Sequence, residues 1–199
     1  MGIISSGFRG RRNKDQPGLP PGQYLTESFP VLSAGPTPRI NTAEWEFQLT
    51  TETGQSHSWS WDEFQNLPQE EFTVDIHCVT SWSKLGTSFG GVSVDLLLEA
   101  AEPLGAYAMA YSYGGYTTNL AIEDLTDGKA WVVTEHEGEP LPRTHGGPAR
   151  LLVPHLYFWK SAKWVAGLRL LDHDEPGFWE QNGYHNRGDP CKEERYWTD

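Results

Sequence analysis

Cysteine is scarce in this chain: Cys78 and Cys191 are the two among 199 residues. One disulfide at most is possible, which excludes a densely cross-linked secreted scaffold. No apolar signal segment precedes the polar, basic stretch from Arg9 to Lys14, and no hydrophobic run follows Arg11 and Arg12, so a cytoplasmic protein with both thiols free is expected. No run approaches the roughly eighteen apolar residues that a membrane span needs. Basic residues are few as well: 15 Lys and Arg stand against 27 Asp and Glu, a formal charge of −12. A polyanion needs a basic face, so nucleic acid and anionic lipid are excluded as partners. Regular strand–helix alternation and internal repeats are also missing, which argues against a doubly wound sheet or a solenoid.

What remains is an α+β pattern of short strands, few helices and long connections. Residues 1–24, polar and rich in Gly and Pro, read as an N-terminal arm, and residues 25–199 as a single domain. Glu44 to Leu49 alternates strictly, which predicts a strand burying Trp45, Phe47 and Leu49. Ser60 and Glu63 have the spacing of a capping box, so a short helix should start there and stop by Pro68. Val94, Leu97, Leu98 and Ala101 form a helical stripe. Further strands are expected over residues 107–113, 130–135, 151–153 and 165–171, with a turn at Glu137 and Gly138 and mostly loop after residue 175.

Two stretches carry chemistry. Val74, Ile76 and Cys78 share one face of a strand, and Trp82, Gly86, Gly90 and Gly91 follow in what reads as an irregular loop. A lone cysteine in such a strand is ordinarily a small buried hydrophobe. The second stretch gathers His145, Arg150, Lys160 and Lys163 among glycines in an otherwise acidic chain. Cations with accessible backbone N–H groups suit a phosphate-bearing ligand, although a solvated basic turn would have the same composition.

His145, Gly146, Pro148, Arg150, Val153 and Pro154, followed by Lys160, Ser161, Lys163 and Trp164, closely resemble the cofactor-binding segment of the sulfite oxidase family of molybdopterin enzymes. Cys78, Val79, Trp82 and Ser83 are similar to the metal-ligand stretch of protein-methionine-sulfoxide reductase catalytic subunits, and Phe29, Val31, Leu32 and Ser33 resemble the family's first pterin loop. The resemblance implies a sulfite oxidase-type molybdopterin-binding domain with mixed sheets and a molybdenum–molybdopterin cofactor. It also implies oxygen-atom transfer, Mo(VI) to Mo(IV), to or from a small-molecule substrate such as an S-oxide. It makes Cys78 the thiolate ligand of molybdenum and the catalytic residue. Val31, Leu32, Ser33, Ser112, His145, Arg150, Ser161, Ala162 and Lys163 would then hold the pterin and its phosphate.

Leu32 stands where animal and plant sulfite oxidases carry a sulfite-binding arginine, which weakens the alternative of a true sulfite oxidase. A third reading is a non-catalytic pterin- or phosphate-binding module, which would have no use for a thiolate aimed into its pocket. The chain ends before any dimerisation domain of the sulfite oxidase kind, so a monomer with a separate electron-transfer partner is expected. Thr80, Trp82, Lys84, Tyr111, Tyr113 and Tyr116 are candidates for the substrate pocket. His77 should point to the opposite strand face, while His155, His173 and His185 are too dispersed for a metal triad.

Overall fold

The structure, a computed structural model, describes residues 17–101 and 105–199. The basic stretch over residues 9–14 and Pro103 lie outside them. Strands β1 (Tyr24–Leu25), β2 (Glu46–Thr50), β3 (Ser56–Ser60), β4 (Glu70–His77) and β5 (Trp82–Ser93) occupy the first half. Strands β6 (Tyr107–Ser112), β7 (Thr117–Ala121), β8 (Trp131–His136), β9 (Glu139–Pro140), β10 (Arg150–Leu152) and β11 (Val165–Leu171) occupy the second. Helices α1 (Trp61–Gln65), α2 (Val94–Leu98) and α3 (Phe178–Gln181) are each one turn or little more. Mixed sheets with few helices make this an α+β fold.

One sheet runs β3-β2-β11-β6-β7, with β11 parallel to β2 and antiparallel to β6. The other is built on β5, which carries β4 along one edge and first β1, then β8, along the other; β10 extends it beyond β8. The main core draws on both sheets: Phe47 and Leu49 from β2, Ala108 and Ala110 from β6, Val132 from β8 and Leu151 from β10. Each large side chain buried there is worth about 2 kcal/mol. Because side chains alternate along a strand, Trp131, Val133 and Leu152 face the other way. There they form a second cluster with Ile76, Cys78, Trp82 and Phe89, covered by Phe29 and Phe158.

The alternating stretch at residues 44–49 is β2, with Trp45, Phe47 and Leu49 buried. The capping box is present: the Ser60 hydroxyl receives the Glu63 N–H while the Glu63 carboxylate receives the Ser60 N–H. Glu137 and Gly138 both sit at positive φ, as the tight turn joining β8 and β9 requires.

The stretch after Cys78 is a correction. It is not an irregular loop but the twelve-residue strand β5. Its glycines bend the strand instead of ending it. Gly86, at φ +61°, lies where the β4–β5 register slips, and a Cβ on Gly91 would come 2.3 Å from the Val132 carbonyl oxygen. Two strands had no alternating signal: β3, an edge strand with Trp59 as its one buried residue, and β7, with Thr118, Asn119 and Leu120 buried in succession.

The boundary expected between residues 24 and 25 falls inside β1. Gln23 is fully buried, and Tyr24 and Leu25 pair in parallel with Trp82 and Ser83.

Candidate functional site

Cys78 stands at the first corner of the turn joining β4 to β5. Its N–H donates to the Trp82 carbonyl at 2.9 Å, the Ser81 N–H donates to the Cys78 carbonyl at 2.9 Å, and Ser81 takes a positive φ of 79° to close the turn. The thiol is 8% exposed and accepts a hydrogen bond from the Thr80 hydroxyl at 3.1 Å. Burial pushes the thiol pKa up, against smaller opposing pulls from that hydroxyl and from the charges of Arg195 and Lys163. Without a metal or other cation beside it, the sulfur stays protonated at neutral pH.

Arg150, on β10, is 1% exposed. Its guanidinium donates to the His145 carbonyl at 2.7 Å and the Ser161 carbonyl at 2.6 Å, and its Nε, also buried, has no partner. Burial depresses its pKa to about 9. Lys163 Nζ donates to the carbonyls of Leu32 and Thr144, each at 2.7 Å, and its pKa falls to about 8 through burial and then the charge of Arg150. Among the described residues neither cation has a carboxylate partner.

A cavity of about 540 Å³ joins these groups. Cys78, Thr80 and Trp82 form one part of its wall, and Arg150, Ser161 and Lys163 another; Leu32 and Ser33 close it from the proline-rich loop. Aromatic rings supply much of the rest, among them Tyr116, Phe158, Trp164, and Phe178, Trp179 and Tyr184 around α3.

The remaining candidates fall outside that lining. Val31 is half exposed on the same loop as Leu32. His145 stacks on Phe29 at 3.9 Å between centroids, and burial with two nearby cations drives its pKa to about 4, so the ring is neutral. Ser112 is buried with its hydroxyl unpartnered, and Ala162 packs in the main core, its carbonyl receiving the Leu151 N–H. Ser161 belongs to the wall, but its hydroxyl accepts the Val153 N–H.

Lys160 does not join the cationic wall. It is buried against Glu180 at 2.7 Å and also donates to Asn119, so its charge is spent inside the protein. Tyr111 and Tyr113 donate to Gln48 and Glu46 on β2, reaching across β11. His77 meets the Ser83 hydroxyl, His155 meets Asp124, and Cys191 is exposed. No group of three or more His, Cys, Asp or Glu side chains among the described residues could hold a metal ion. Phe178, Trp179 and Tyr184 were not picked out by sequence; the density of aromatics after residue 175 was the available signal.

A family model described as "Oxidoreductase molybdopterin binding domain" matches residues 34–179. The chain belongs to this molybdopterin-binding oxidoreductase family. It is 39% identical over 196 residues to the "Uncharacterized oxidoreductase YuiH" of Bacillus subtilis, covering 96% of this chain and 99% of that one. It is 24% identical to human mitochondrial sulfite oxidase, covering 83% of this chain but 37% of the relative. It is also 24% identical to the protein-methionine-sulfoxide reductase catalytic subunit MsrP of Gluconobacter oxydans, covering 65% of this chain and 49% of that one. In the crystal structure of the sulfane dehydrogenase SoxCD from Paracoccus pantotrophus the same fold recurs, with a TM-score of 0.61 at 19% identity over 69% of this chain and 40% of that one.

The cavity suits the family's cofactor. A buried arginine with an unpartnered Nε is costly unless an anion completes it, and the phosphate of a molybdopterin is such an anion. The aromatic walls are suited to a flat heterocycle.

Proposed function

We propose that this protein is a molybdenum–molybdopterin oxidoreductase that moves an oxygen atom to or from a small uncharged substrate, with an S-oxide as the type. What supports this most is one juxtaposition: the Cys78 thiol lines the same cavity as Arg150 and Lys163, which have no carboxylate partner among the described residues, although they come from distant parts of the chain.

Arg150 and Lys163 would hold the cofactor's phosphate, one through a planar fork and the other as a point charge. Leu32 and Ser33 would pack against the pterin. Cys78 would give its proton to water on binding metal, and its thiolate is a soft ligand for a soft metal. Bound there, the cofactor supplies a two-electron centre, Mo(VI)/Mo(IV), competent to take or give one oxygen atom. A separate electron-transfer partner would complete the cycle.

The wall argues for the uncharged substrate. Among the described residues Arg150 and Lys163 are the basic side chains that line the cavity, and both have a task already. Sulfite, a dianion, would find no further cation there, whereas Tyr116, Phe178, Trp179 and Tyr184 offer apolar ring faces and edges to a neutral molecule.

The test is metal analysis of the purified chain beside its Cys78→Ala variant, with oxygen-atom transfer assayed on an aryl methyl sulfoxide and on sulfite. About one molybdenum per chain, sulfoxide turnover in the wild type and its loss in the variant are expected. Metal-free wild type from a cofactor-sufficient host would overturn the proposal, and turnover of sulfite alone would overturn its choice of substrate.

A further inference from the structure

The turn that presents Cys78 is held from behind by both ends of the described chain. Gln23, fully buried, donates through Nε2 to the Cys78 carbonyl at 3.1 Å, the Trp82 carbonyl at 3.0 Å and the Ser83 hydroxyl at 3.1 Å. Arg195 donates through Nη1 to the Val79 carbonyl at 2.5 Å, and through Nη2 to Gln23 Oε1 at 2.9 Å and the Pro21 carbonyl at 3.2 Å. Its guanidinium lies 5.0 Å from the centre of the Tyr157 ring, and Nε faces Glu193 at 3.6 Å. The backbone adds two more ties, Tyr24 N–H to the Ser81 carbonyl at 2.8 Å and Thr26 N–H to the Ser83 carbonyl at 2.9 Å.

A turn with a positive φ at Ser81 and a side chain to aim needs such support, because each unfixed carbonyl leaves the Cα–Cβ direction of Cys78 free to swing. The hydrogen bonds run to backbone atoms on either side of Cys78, and they originate 55 residues before it and more than 110 residues after it. We propose that Gln23 and Arg195 are positioning residues for the Cys78 sulfur. Together they form a two-part clasp that fixes the 78–82 turn so that the thiol enters the cavity in one orientation. Neither residue lines that cavity. The functional importance of the clasp rests on the assignment of Cys78 above, but its mechanical effect can be measured without the cofactor.

The experiment uses the full chain in a Cys191→Ser background, produced without cofactor. It reads the rate of Cys78 alkylation by iodoacetamide and the amide hydrogen exchange of residues 78–83. Gln23→Ala and Arg195→Ala are each expected to speed both by about tenfold or more. Arg195→Lys keeps the charge but not the fork that reaches Val79 and Gln23 together, so it should behave like Arg195→Ala. Leu97→Ala, in the main core, serves as the reference for general loss of stability. Rates in the clasp variants within twofold of wild type would overturn the proposal, as would an equal acceleration in Leu97→Ala. Should Gln23→Ala fail to fold, Arg195→Lys carries the test by itself. Metal-free wild type together with accelerated alkylation in the variants would sink the molybdenum assignment while leaving the clasp standing.

Discussion

Arg150 lays its guanidinium 4.0 Å over the ring of Phe158. Among the described residues this cation is buried against an aromatic face with carbonyls, and no carboxylate, as its other partners. A face-on ring and two carbonyls compensate part of the lost hydration, and an anion would compensate the rest.

Replacing Arg150 should therefore cost cofactor and not only stability. Arg150→Ala is expected to weaken cofactor retention by about 2 kcal/mol, roughly thirtyfold, because a charged hydrogen-bonding partner of a buried phosphate is lost. Arg150→Lys should recover only part of that, lacking the planar fork. Molybdenum and pterin content per chain after gel filtration checks both, and full occupancy in Arg150→Ala would show that the anion site lies elsewhere.

The buried pair Lys160 and Glu180 behaves differently when broken on one side than when neutralised on both. Lys160→Met leaves the Glu180 carboxylate in the interior with Thr118 and Trp159 as its remaining donors. A loss of about 3 kcal/mol in urea unfolding is expected. Lys160→Met combined with Glu180→Gln should regain most of it. If the double variant is no more stable than the single one, the pair's charges are not what sets the cost.

Acid should find a specific weak point at Asp124. Burial raises its carboxyl pKa, but hydrogen bonds from His155 and Arg187 outweigh that and hold it at about 2, below the ordinary 3.8. A depressed pKa contributes stability above the unfolded value, lost as pH falls through the folded one. The stability difference between wild type and Asp124→Asn should therefore be about 2 kcal/mol near pH 6, shrinking between pH 4 and pH 2. Urea midpoints across that range read it directly; a difference that does not change with pH would assign the effect to shape instead of charge.

Trp179 should act on substrate selection. It stacks against Tyr184 at 4.8 Å and lines the cavity from α3. Trp179→Ala is expected to raise KM for an aryl methyl sulfoxide by about tenfold while kcat changes by less than threefold, because ground-state and transition-state packing are lost alike. A fall in kcat at constant KM would place the ring at the reacting atoms.

Much of this was legible where the physics is local. Trp45, Phe47 and Leu49 announce β2 by alternation, and Ser60 with Glu63 announces α1 by capping, because both signals depend on neighbours within a few residues. Cys78, Arg150 and Lys163 are singled out by the resemblance of their stretches to the sulfite oxidase family, since by composition alone the thiol reads as a buried hydrophobe and the cations as a basic turn. β5 was hidden because Gly86, Gly90 and Gly91 look like a loop until β4 and β8 are set beside them. By composition Lys160 and Lys163 fall in the same cationic stretch, and the approach of Glu180 from α3 shows why Lys160 is held inside the protein. The support that Gln23 and Arg195 give the Cys78 turn spans more than 170 residues, a distance over which no periodicity carries information.

The hairpin bearing the sulfur is complete by residue 93, whereas β10, with its arginine, reaches it only by docking through β8. A growing polypeptide released only as far as residue 149 thus owns the thiol but neither Arg150 nor Lys163. A cofactor held by Arg150 and Lys163 would therefore be gripped only after translation has passed Lys163 and β10 has docked on β8, so its delivery is expected late in the life of each molecule.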